Sequence, residues 1–303
     1  MGNLTVAYRA GSGNLAVAYG AGPGSLPAER ADGSCVRGRS DHGVRDPHAR
    51  VAAGALAAAL LTAGSGPALA APVKTIVLVH GAWADASGWN PVYDILTRDG
   101  YSVTMVQEPE TSIQDDVAAT KRVLGLLSGR CILVAHSYGG SVITEAGVDP
   151  HVVGLVYVAA HAPDVEEDEG ELGRKTPSVL AMTKGAIETT ADGFTFLNPA
   201  DFPGLFAADL PREQAVFESH SQVPAAAEVF NTPLTAAAWR TKPSWAIVAG
   251  ADKIINPDLE KWYYARAHSH TTVIAGASHS VYESQPQAVA AVIEEAARHA
   301  ENP

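Results

Sequence analysis

The pattern of apolar and polar positions becomes regular only in the later part of the chain. From about residue 73, short apolar runs alternate with segments in which apolar residues recur every three or four positions. The short runs are typical of buried parallel strands, and the longer segments are typical of helices that cover one face of a sheet. Repeated strand and helix units predict an α/β fold with a mostly parallel sheet flanked by helices.

The same pattern gives bounds for the predicted elements. We predict strands over residues 75–79, 101–106, 131–135, 152–158, 244–248 and 271–274. We predict helices over residues 88–98, 138–146, about 257–267 and about 286–299. A further helix begins after Ser112, because Asp115 lies at the spacing of a capping box and an apolar face follows.

The segment of about 162–239 interrupts the alternation of strands and helices. It opens with an acidic run that begins at Asp164, and it carries many prolines and scattered aromatic residues. A long solvated loop is one interpretation. The aromatic content favours an inserted helical cap instead, because a solvated loop would expose this much apolar surface to water.

The beginning of the chain differs from the rest in composition. Residues 1–50 are rich in Gly, Ala, Ser and Arg and have no sustained period, so we interpret them as a disordered or non-native extension. Residues 51–70 combine an apolar run, Gly and Pro breakers and an Ala-Leu-Ala sequence, with Arg45 and Arg50 in front. This order predicts a signal peptide cleaved after Ala70, because the run is shorter than the ~20 residues of a membrane span. We therefore expect a secreted or periplasmic protein without a stable membrane anchor, whose domain comprises residues 71–303.

Composition narrows the class of partner. The chain is 47% hydrophobic and has a formal net charge of −12, whereas nucleic acids and anionic membranes attract an excess of Lys and Arg. We expect a small-molecule substrate and no nucleic-acid partner. The two cysteines, Cys35 and Cys131, form no CxxC pair or Cys/His cluster, so the sequence predicts no metal site.

Ser137 lies between a predicted strand and a predicted helix, in the sequence Ala-His-Ser-Tyr-Gly-Gly. This is the context of a nucleophile elbow, a sharp turn that exposes the serine hydroxyl above the sheet. Residues two positions before and after the serine must be small; Gly139 satisfies this requirement, and Ala135 replaces the usual first glycine. An ordinary strand-to-helix turn that contains a serine is the alternative. We predict that Ser137 is a nucleophile.

A serine hydroxyl needs a base to remove its proton, and the base needs a carboxylate to orient it. In folds built around such an elbow, the acid and then the histidine follow the serine along the chain. Asp252 and His279 follow the last two predicted strands in this order. A turn-forming Asp beside Gly250 and a solvated loop histidine are the alternative interpretations. Together with Ser137 they are the predicted catalytic triad.

The His-Gly-Ala-Trp sequence after the first strand is a candidate oxyanion loop. Its Ala82 amide and the Tyr138 amide next to the nucleophile are the predicted oxyanion donors. We expect His80 to hold the loop and His136 to pack in the interior rather than act as a base. Aromatic side chains are expected to form an apolar substrate pocket, namely Trp83, Phe194, Phe202 and Phe206.

These motifs resemble one branch of the α/β-hydrolases, which contains plant methyl esterases, hydroxynitrile lyases and related bacterial esterases. The resemblance rests on the loop that ends at Trp83, the elbow around Ser137, and the Asp-Lys-Ile-Ile-Asn-Pro run at Asp252 with Trp262. It extends over about residues 74–297 and implies the α/β-hydrolase fold and a serine esterase that requires no cofactor.

Two positions separate the esterases of this branch from the lyases. In the lyases a Thr follows the loop histidine and a Lys follows the catalytic histidine, whereas this chain has Gly81 and Ser280 there. The difference favours ester hydrolysis over cyanohydrin cleavage, since nothing replaces the lysine charge that holds the leaving cyanide.

The residues and the resemblance together predict a secreted serine carboxylic-ester hydrolase that acts on small or medium esters through an acyl-enzyme. Two kinds of alternative stay open. One is other chemistry on the same triad, such as lactone, amide or polyester hydrolysis, perhydrolysis or cyanohydrin cleavage. The other is a non-catalytic homologue that binds a ligand.

Overall fold

The computed structural model describes residues 73–300. The predicted N-terminal extension over residues 1–50 and the predicted signal peptide over residues 51–70 lie outside the described residues. None of the helices in the described part is long and apolar enough to span a membrane.

Strands form two sheets in the described part of the chain. In chain order they are β1 (Thr75–Val79), β2 (Ser102–Val106), β3 (Cys131–Ser137), β4 (Val152–Ala160), β5 (Ile187–Thr189), β6 (Phe194–Leu197), β7 (Ala225–Ala226), β8 (Ser244–Ala249) and β9 (His270–Ile274). The main sheet is parallel throughout and has the strand order β2-β1-β3-β4-β8-β9. Strands β5, β6 and β7 form a separate antiparallel sheet.

Helices lie between the strands and after β9. They are α1 (Asn90–Arg98), α2 (Ile113–Leu124), α3 (Gly139–Ala146), α4 (Glu169–Lys175), α5 (Val179–Met182), α6 (Phe202–Leu205), α7 (Arg212–His220), α8 (Pro257–Arg266), α9 (Val281–Ser284) and α10 (Pro286–His299). Short 3-10 helices occupy Ala86–Trp89, Ala227–Phe230 and Ala238–Arg240. The predicted cap of α2 is confirmed, since the Ser112 side chain accepts a hydrogen bond from the Asp115 amide.

The core lies on both faces of the parallel sheet, as the β-branched strand sequences predict. In β1, Val77 and Val79 pack on one face, while Ile76 and Leu78 pack on the other with residues of α1 and α10. Because successive side chains of a strand point to opposite faces, a strand covered on both sides must be apolar throughout. The predicted fold class, a mostly parallel sheet flanked by helices, is confirmed.

The segment between β4 and β8 is not the purely helical cap that the sequence led us to expect. It contains four helices, α4 to α7, and also the antiparallel sheet of β5, β6 and β7. The missed signal is a period of two in β6, where Thr195 and Leu197 are buried and Phe194 and Phe196 are half-buried. A strand of four residues is too short for this period to stand out in the sequence.

Candidate active site

A sharp turn joins β3 to α3 and carries Ser137. The serine is the last residue of β3 and has a φ of 54°, in the left-handed region that residues with a side chain rarely adopt. A Cβ at Gly139, the first residue of α3, would lie 2.3 Å from the carbonyl oxygen of His80, so this position accepts only glycine. The turn therefore has the strained geometry of a nucleophile elbow.

The structure brings the three predicted triad residues together in one hydrogen-bonded chain. His279 Nε2 lies 2.8 Å from Ser137 Oγ, and His279 Nδ1 lies 2.6 Å from Asp252 Oδ2. The other carboxylate oxygen, Asp252 Oδ1, accepts the amide hydrogens of Ile254 and Ile255 at 2.7 and 3.0 Å. These amides fix the carboxylate, which in turn fixes the imidazole with one nitrogen at the serine hydroxyl.

Two aromatic rings hold the imidazole of His279 in place. The Phe206 ring contacts it edge-on at a centroid distance of 4.7 Å, and the His136 ring lies 4.5 Å away. His136 packs in the interior as expected, and its Nε2–H also donates to the His279 carbonyl oxygen at 2.9 Å. Burial holds the pKa of His136 well below its ordinary value, so this second imidazole stays neutral beside the triad.

The loop after β1 lies directly against the serine. A Cβ at Gly81 would lie 2.6 Å from Ser137 Cβ, which shows how closely this backbone approaches. Two residues further along the loop, the backbone N–H of Trp83 donates to Glu110 Oε2 at 3.1 Å and is not available to a ligand. By contrast, within residues 73–300 the backbone N–H groups of Ala82 and Tyr138 donate to no protein acceptor. Both predicted oxyanion donors are therefore free beside the nucleophile.

His80 connects the oxyanion loop to the segment after β2. Its Nε2 accepts the amide hydrogen of Glu108 at 3.0 Å, and its Nδ1–H donates to the Gly81 carbonyl oxygen at 3.0 Å. Burial lowers the pKa of His80 and keeps the ring neutral, while the Glu108 amide, which donates to Nε2, leaves the ring hydrogen on Nδ1. The geometry is that of a residue that holds the loop, as the sequence predicts.

Three buried carboxyl groups, those of Glu108, Glu110 and Asp116, lie behind this loop, and no pattern in the sequence indicated them. Glu110 holds the Trp83 amide, and Asp116 accepts the Tyr138 hydroxyl at 2.6 Å and the Glu110 amide at 2.9 Å. Burial and mutual repulsion raise the pKa of Glu108 and Glu110 well above the ordinary value, and burial raises that of Asp116. The neutral forms are therefore favoured, which limits the charge enclosed behind the oxyanion loop.

A fourth buried carboxyl group, Glu260 of α8, lies near the triad acid. Its Oε2 accepts the amide hydrogen of Ala249 at 3.1 Å. Burial and the neighbouring charge of Asp252 raise the pKa of Glu260 well above its ordinary value. The neutral form of Glu260 is therefore favoured, which leaves Asp252 as the charged carboxylate beside His279.

A mostly apolar cavity of about 370 Å³ opens onto Ser137 and both oxyanion amides. Trp83 lines it, as predicted, and Phe230 lies against Trp83 with ring centroids 5.3 Å apart. Phe230 was not among the predicted pocket residues. Its position depends on the fold of the cap, which brings its 3-10 helix over the loop after β1.

The other three predicted pocket residues do not line the cavity at Ser137. Phe194 packs on the core through β6, because its strand belongs to the small antiparallel sheet. Phe202 and Phe206 line a separate cavity of about 290 Å³ and stack on each other at 4.7 Å. A role of these three residues in binding substrate stays a prediction; Phe206 contacts the imidazole of His279.

Besides the exposed Arg174, two ionisable side chains interrupt the apolar lining of the Ser137 cavity. Glu169 of α4 is buried, and its Oε2 accepts the Ser141 hydroxyl at 2.6 Å. His161 follows β4, and its Nδ1 lies 3.2 Å from the Tyr263 hydroxyl. Burial raises the pKa of Glu169 to about 8 and lowers that of His161 to about 3. In the sequence Glu169 belongs to an acidic run, and only Leu172 one turn later hinted that it faces inward.

Among residues 73–300 no cluster of three or more potential ligands has the geometry of a metal site. A hydroxyl, a base, an orienting acid and two free amides converge at one end of the sheet. This set fits nucleophilic attack on a carbonyl carbon with stabilisation of the resulting oxyanion.

Comparison with known proteins agrees with this geometry. Residues 76–292 match the model of the alpha/beta hydrolase family. A search of curated protein sequences returns no match.

Solved structures with a similar fold include three hydrolases. Polyneuridine aldehyde esterase has a TM-score of 0.64 and 18% identity, over 74% of this chain and 98% of that one. A methylesterase from Arabidopsis has a TM-score of 0.61 and 20% identity, over 74% and 98%. A pyrethroid hydrolase from Sphingobium faniae has a TM-score of 0.64 and 20% identity, over 75% and 98%. At these identities the likeness shows a shared fold.

Proposed function

The chain belongs to the alpha/beta hydrolase family, and on that basis we propose that it is a serine hydrolase that cleaves carboxylic esters through an acyl-enzyme. The observation that carries the proposal is the hydrogen-bonded chain from Ser137 through His279 to Asp252. Esterase and hydrolase activities named for proteins of the same fold support the choice of an ester. The apolar cavity beside Ser137 suits a small or medium acyl or alcohol group.

Acylation follows from the positions of the three side chains. His279 Nε2 takes the proton of Ser137 as its Oγ forms a bond to the ester carbonyl carbon. The carbonyl oxygen becomes an oxyanion that the amides of Ala82 and Tyr138 stabilise, while Asp252 stabilises the imidazolium. His279 then gives its proton to the alkoxide oxygen as the C–O bond breaks, which releases the alcohol.

Deacylation repeats these steps with water. His279 removes a proton from water, the hydroxide oxygen attacks the acyl carbon, and the same amides hold the second oxyanion. The proton returns to Ser137 Oγ as the acyl bond breaks, and the carboxylic acid leaves. The cycle consumes one ester and one water and returns the enzyme unchanged.

The direct test is hydrolysis of p-nitrophenyl acetate and butyrate by the protein that begins at Ala71 and by its Ser137→Ala variant. We expect the variant to lose at least about 10³-fold in kcat/KM. Ser102→Ala is the matched control, because Ser102 is exposed on β2 and should keep the wild-type rate. Equal rates in wild type and Ser137→Ala would contradict the proposal and favour a non-catalytic ligand-binding protein.

We also propose that the enzyme is exported, a hypothesis supported by the sequence over residues 45–70 alone. The test is expression of the whole chain in a bacterial host, followed by N-terminal sequencing of the protein outside the cytoplasm. Cleavage after Ala70 is the expected result. Retention of the uncleaved chain in the cytoplasm would contradict it.

A further inference from the structure

One part of the wall of the Ser137 cavity carries two ionisable side chains close together. Glu169 and His161 line the cavity there, among side chains such as Leu180, Ile255 and Leu259. The proposed ester hydrolysis uses neither residue, since His279 is the base and Asp252 its partner. A buried carboxyl group and a half-buried imidazole are costly to place in a mostly apolar wall unless they bind something.

In each of the two side chains, one polar atom lies within hydrogen-bond distance of a neighbouring hydroxyl. The second polar atom has no hydrogen-bond partner within the described residues. Glu169 Oε2 accepts the Ser141 hydroxyl, and His161 Nδ1 lies within hydrogen-bond distance of the Tyr263 hydroxyl. Glu169 Oε1 and His161 Nε2 form no hydrogen bond within the described residues, and they lie 3.9 Å apart. That separation is too long for a direct hydrogen bond, but a third polar atom can bond to both.

The ionisation of the pair decides what that third atom must be. The pKa of His161 is about 3 and that of Glu169 about 8, both because of burial, so near neutral pH both side chains are uncharged. When His161 Nδ1 carries the hydrogen and donates it to the Tyr263 hydroxyl, the pair offers one donor, Glu169 Oε1–H, and one acceptor, His161 Nε2. A hydroxyl group satisfies both, because it donates once and accepts once. A carbonyl or ether oxygen only accepts, and an ammonium group only donates.

We propose that Glu169 and His161 form a recognition site for a hydroxyl group of the substrate, so that the enzyme prefers hydroxy esters to matched esters without the hydroxyl. This inference rests on the proposed ester hydrolysis and names its substrate class. Ser141, the anchor of Glu169, lies one helical turn, about 5.4 Å, beyond the elbow. The hydroxyl that reaches this site therefore lies only a few bonds from the ester carbonyl.

Binding is tested first, because it does not depend on turnover. Calorimetric titration of Ser137→Ala compares methyl 3-hydroxy-3-phenylpropanoate with methyl 3-phenylpropanoate, and methyl mandelate with methyl phenylacetate. For at least one pair, in one enantiomer, we expect about tenfold tighter binding of the hydroxy ester, as two additional hydrogen bonds predict. Equal affinity within every pair would overturn the proposal and leave a site occupied by structural water.

Turnover gives the second measurement. In the wild type, the ratio of kcat/KM for the preferred hydroxy ester to that for its partner should be about tenfold or more. The ratio should fall to about one in Glu169→Leu and in His161→Phe. A loss of kcat/KM that affects both esters equally does not change this ratio. Glu171→Gln is the matched control, because Glu171 lies on the same helix, is exposed and pairs with Lys175; it should keep the wild-type ratio. An unchanged ratio in Glu169→Leu and His161→Phe would overturn the proposal.

These results separate the two proposals. Hydrolysis that disappears in Ser137→Ala but shows no preference for hydroxy esters would overturn the recognition site alone. Absence of hydrolysis in the wild type would overturn the proposed function, while the titration of Ser137→Ala would still decide the recognition site. If Glu169→Leu does not fold, the wild-type ratio and the titration still decide between the outcomes.

Discussion

The ring of Phe206 stands edge-on against the imidazole of His279, with their centroids 4.7 Å apart and their planes at 81°. Phe206 also accepts the Ser280 amide hydrogen through its carbonyl oxygen at 3.1 Å. The cap therefore contacts both the ring of the proposed base and the backbone next to it. Removing the Phe206 side chain tests how much this contact contributes.

Phe206→Ala should lower kcat/KM for p-nitrophenyl butyrate by about tenfold, because the imidazole gains freedom to leave the serine. The free energy of unfolding should fall by about 3–5 kcal/mol, as for other buried phenylalanines. Urea denaturation and initial rates measure the two effects. Phe217→Ala is the control, because Phe217 is 71% exposed on the cap helix α7. Its free energy of unfolding should change by less than about 0.5 kcal/mol. Equal effects of the two changes would contradict the role of Phe206.

Asp252→Asn should reduce kcat for p-nitrophenyl butyrate by roughly 10³- to 10⁴-fold with little effect on KM. An amide in place of the carboxylate neither stabilises the imidazolium nor fixes the tautomer of His279. Asp258→Asn is a matched control, since Asp258 is an exposed residue of α8 that pairs with Lys261. A loss of less than tenfold in Asp252→Asn would show that Asp252 is not the triad acid.

Gly81→Ala should displace either the oxyanion loop or the nucleophile, because the added Cβ would lie 2.6 Å from Ser137 Cβ. We expect a loss of activity of about 10²-fold or more, with a destabilisation of about 1–3 kcal/mol. Gly129→Ala should change neither quantity, since a Cβ there meets nothing within 4 Å. Wild-type activity in Gly81→Ala would show that the loop does not form the oxyanion site.

Stability should fall as the pH rises from about 6.5 to 8. Burial raises the pKa of Glu169 from 4.5 to about 8, so over this range the folded protein holds a proton that the unfolded chain has released. Each such proton lowers the free energy of unfolding by about 1.4 kcal/mol per pH unit. Glu283, whose pKa burial and Glu218 raise to about 9, acts in the same direction.

The buried histidines act in the opposite direction, but chiefly at lower pH. Burial lowers the pKa of His80, His136 and His161, so their opposing contribution is at half of its maximum at pH 6.5, where the unfolded histidines are half protonated, and becomes small above about pH 7.5. Urea denaturation at pH 6.5, 7.25 and 8 measures the slope. Glu169→Gln should make it shallower, whereas Glu171→Gln should leave it unchanged. Stability that is flat or rises over this range in the wild type would contradict the prediction.

The sequence by itself determined the order of strands and helices around the main sheet and the positions of the predicted triad residues. Both depend on short stretches of chain: the period of apolar residues defines each element, and Ser137, Asp252 and His279 each follow a recognisable strand. Because all strands of the main sheet are parallel, their carboxyl ends meet at one edge. The order of elements alone therefore sufficed to predict that the three residues lie close together.

The tertiary structure decided the lining of the cavity and the environment of the triad. Contacts such as Ser141 with Glu169 and His136 with His279 join residues that are 28 and 143 positions apart. Nothing in the local sequence specifies such pairs, since they arise only when distant parts of the chain fold together. For the same reason Glu169 resembled one more charge in a solvated run, although burial makes it a neutral acid beside the nucleophile.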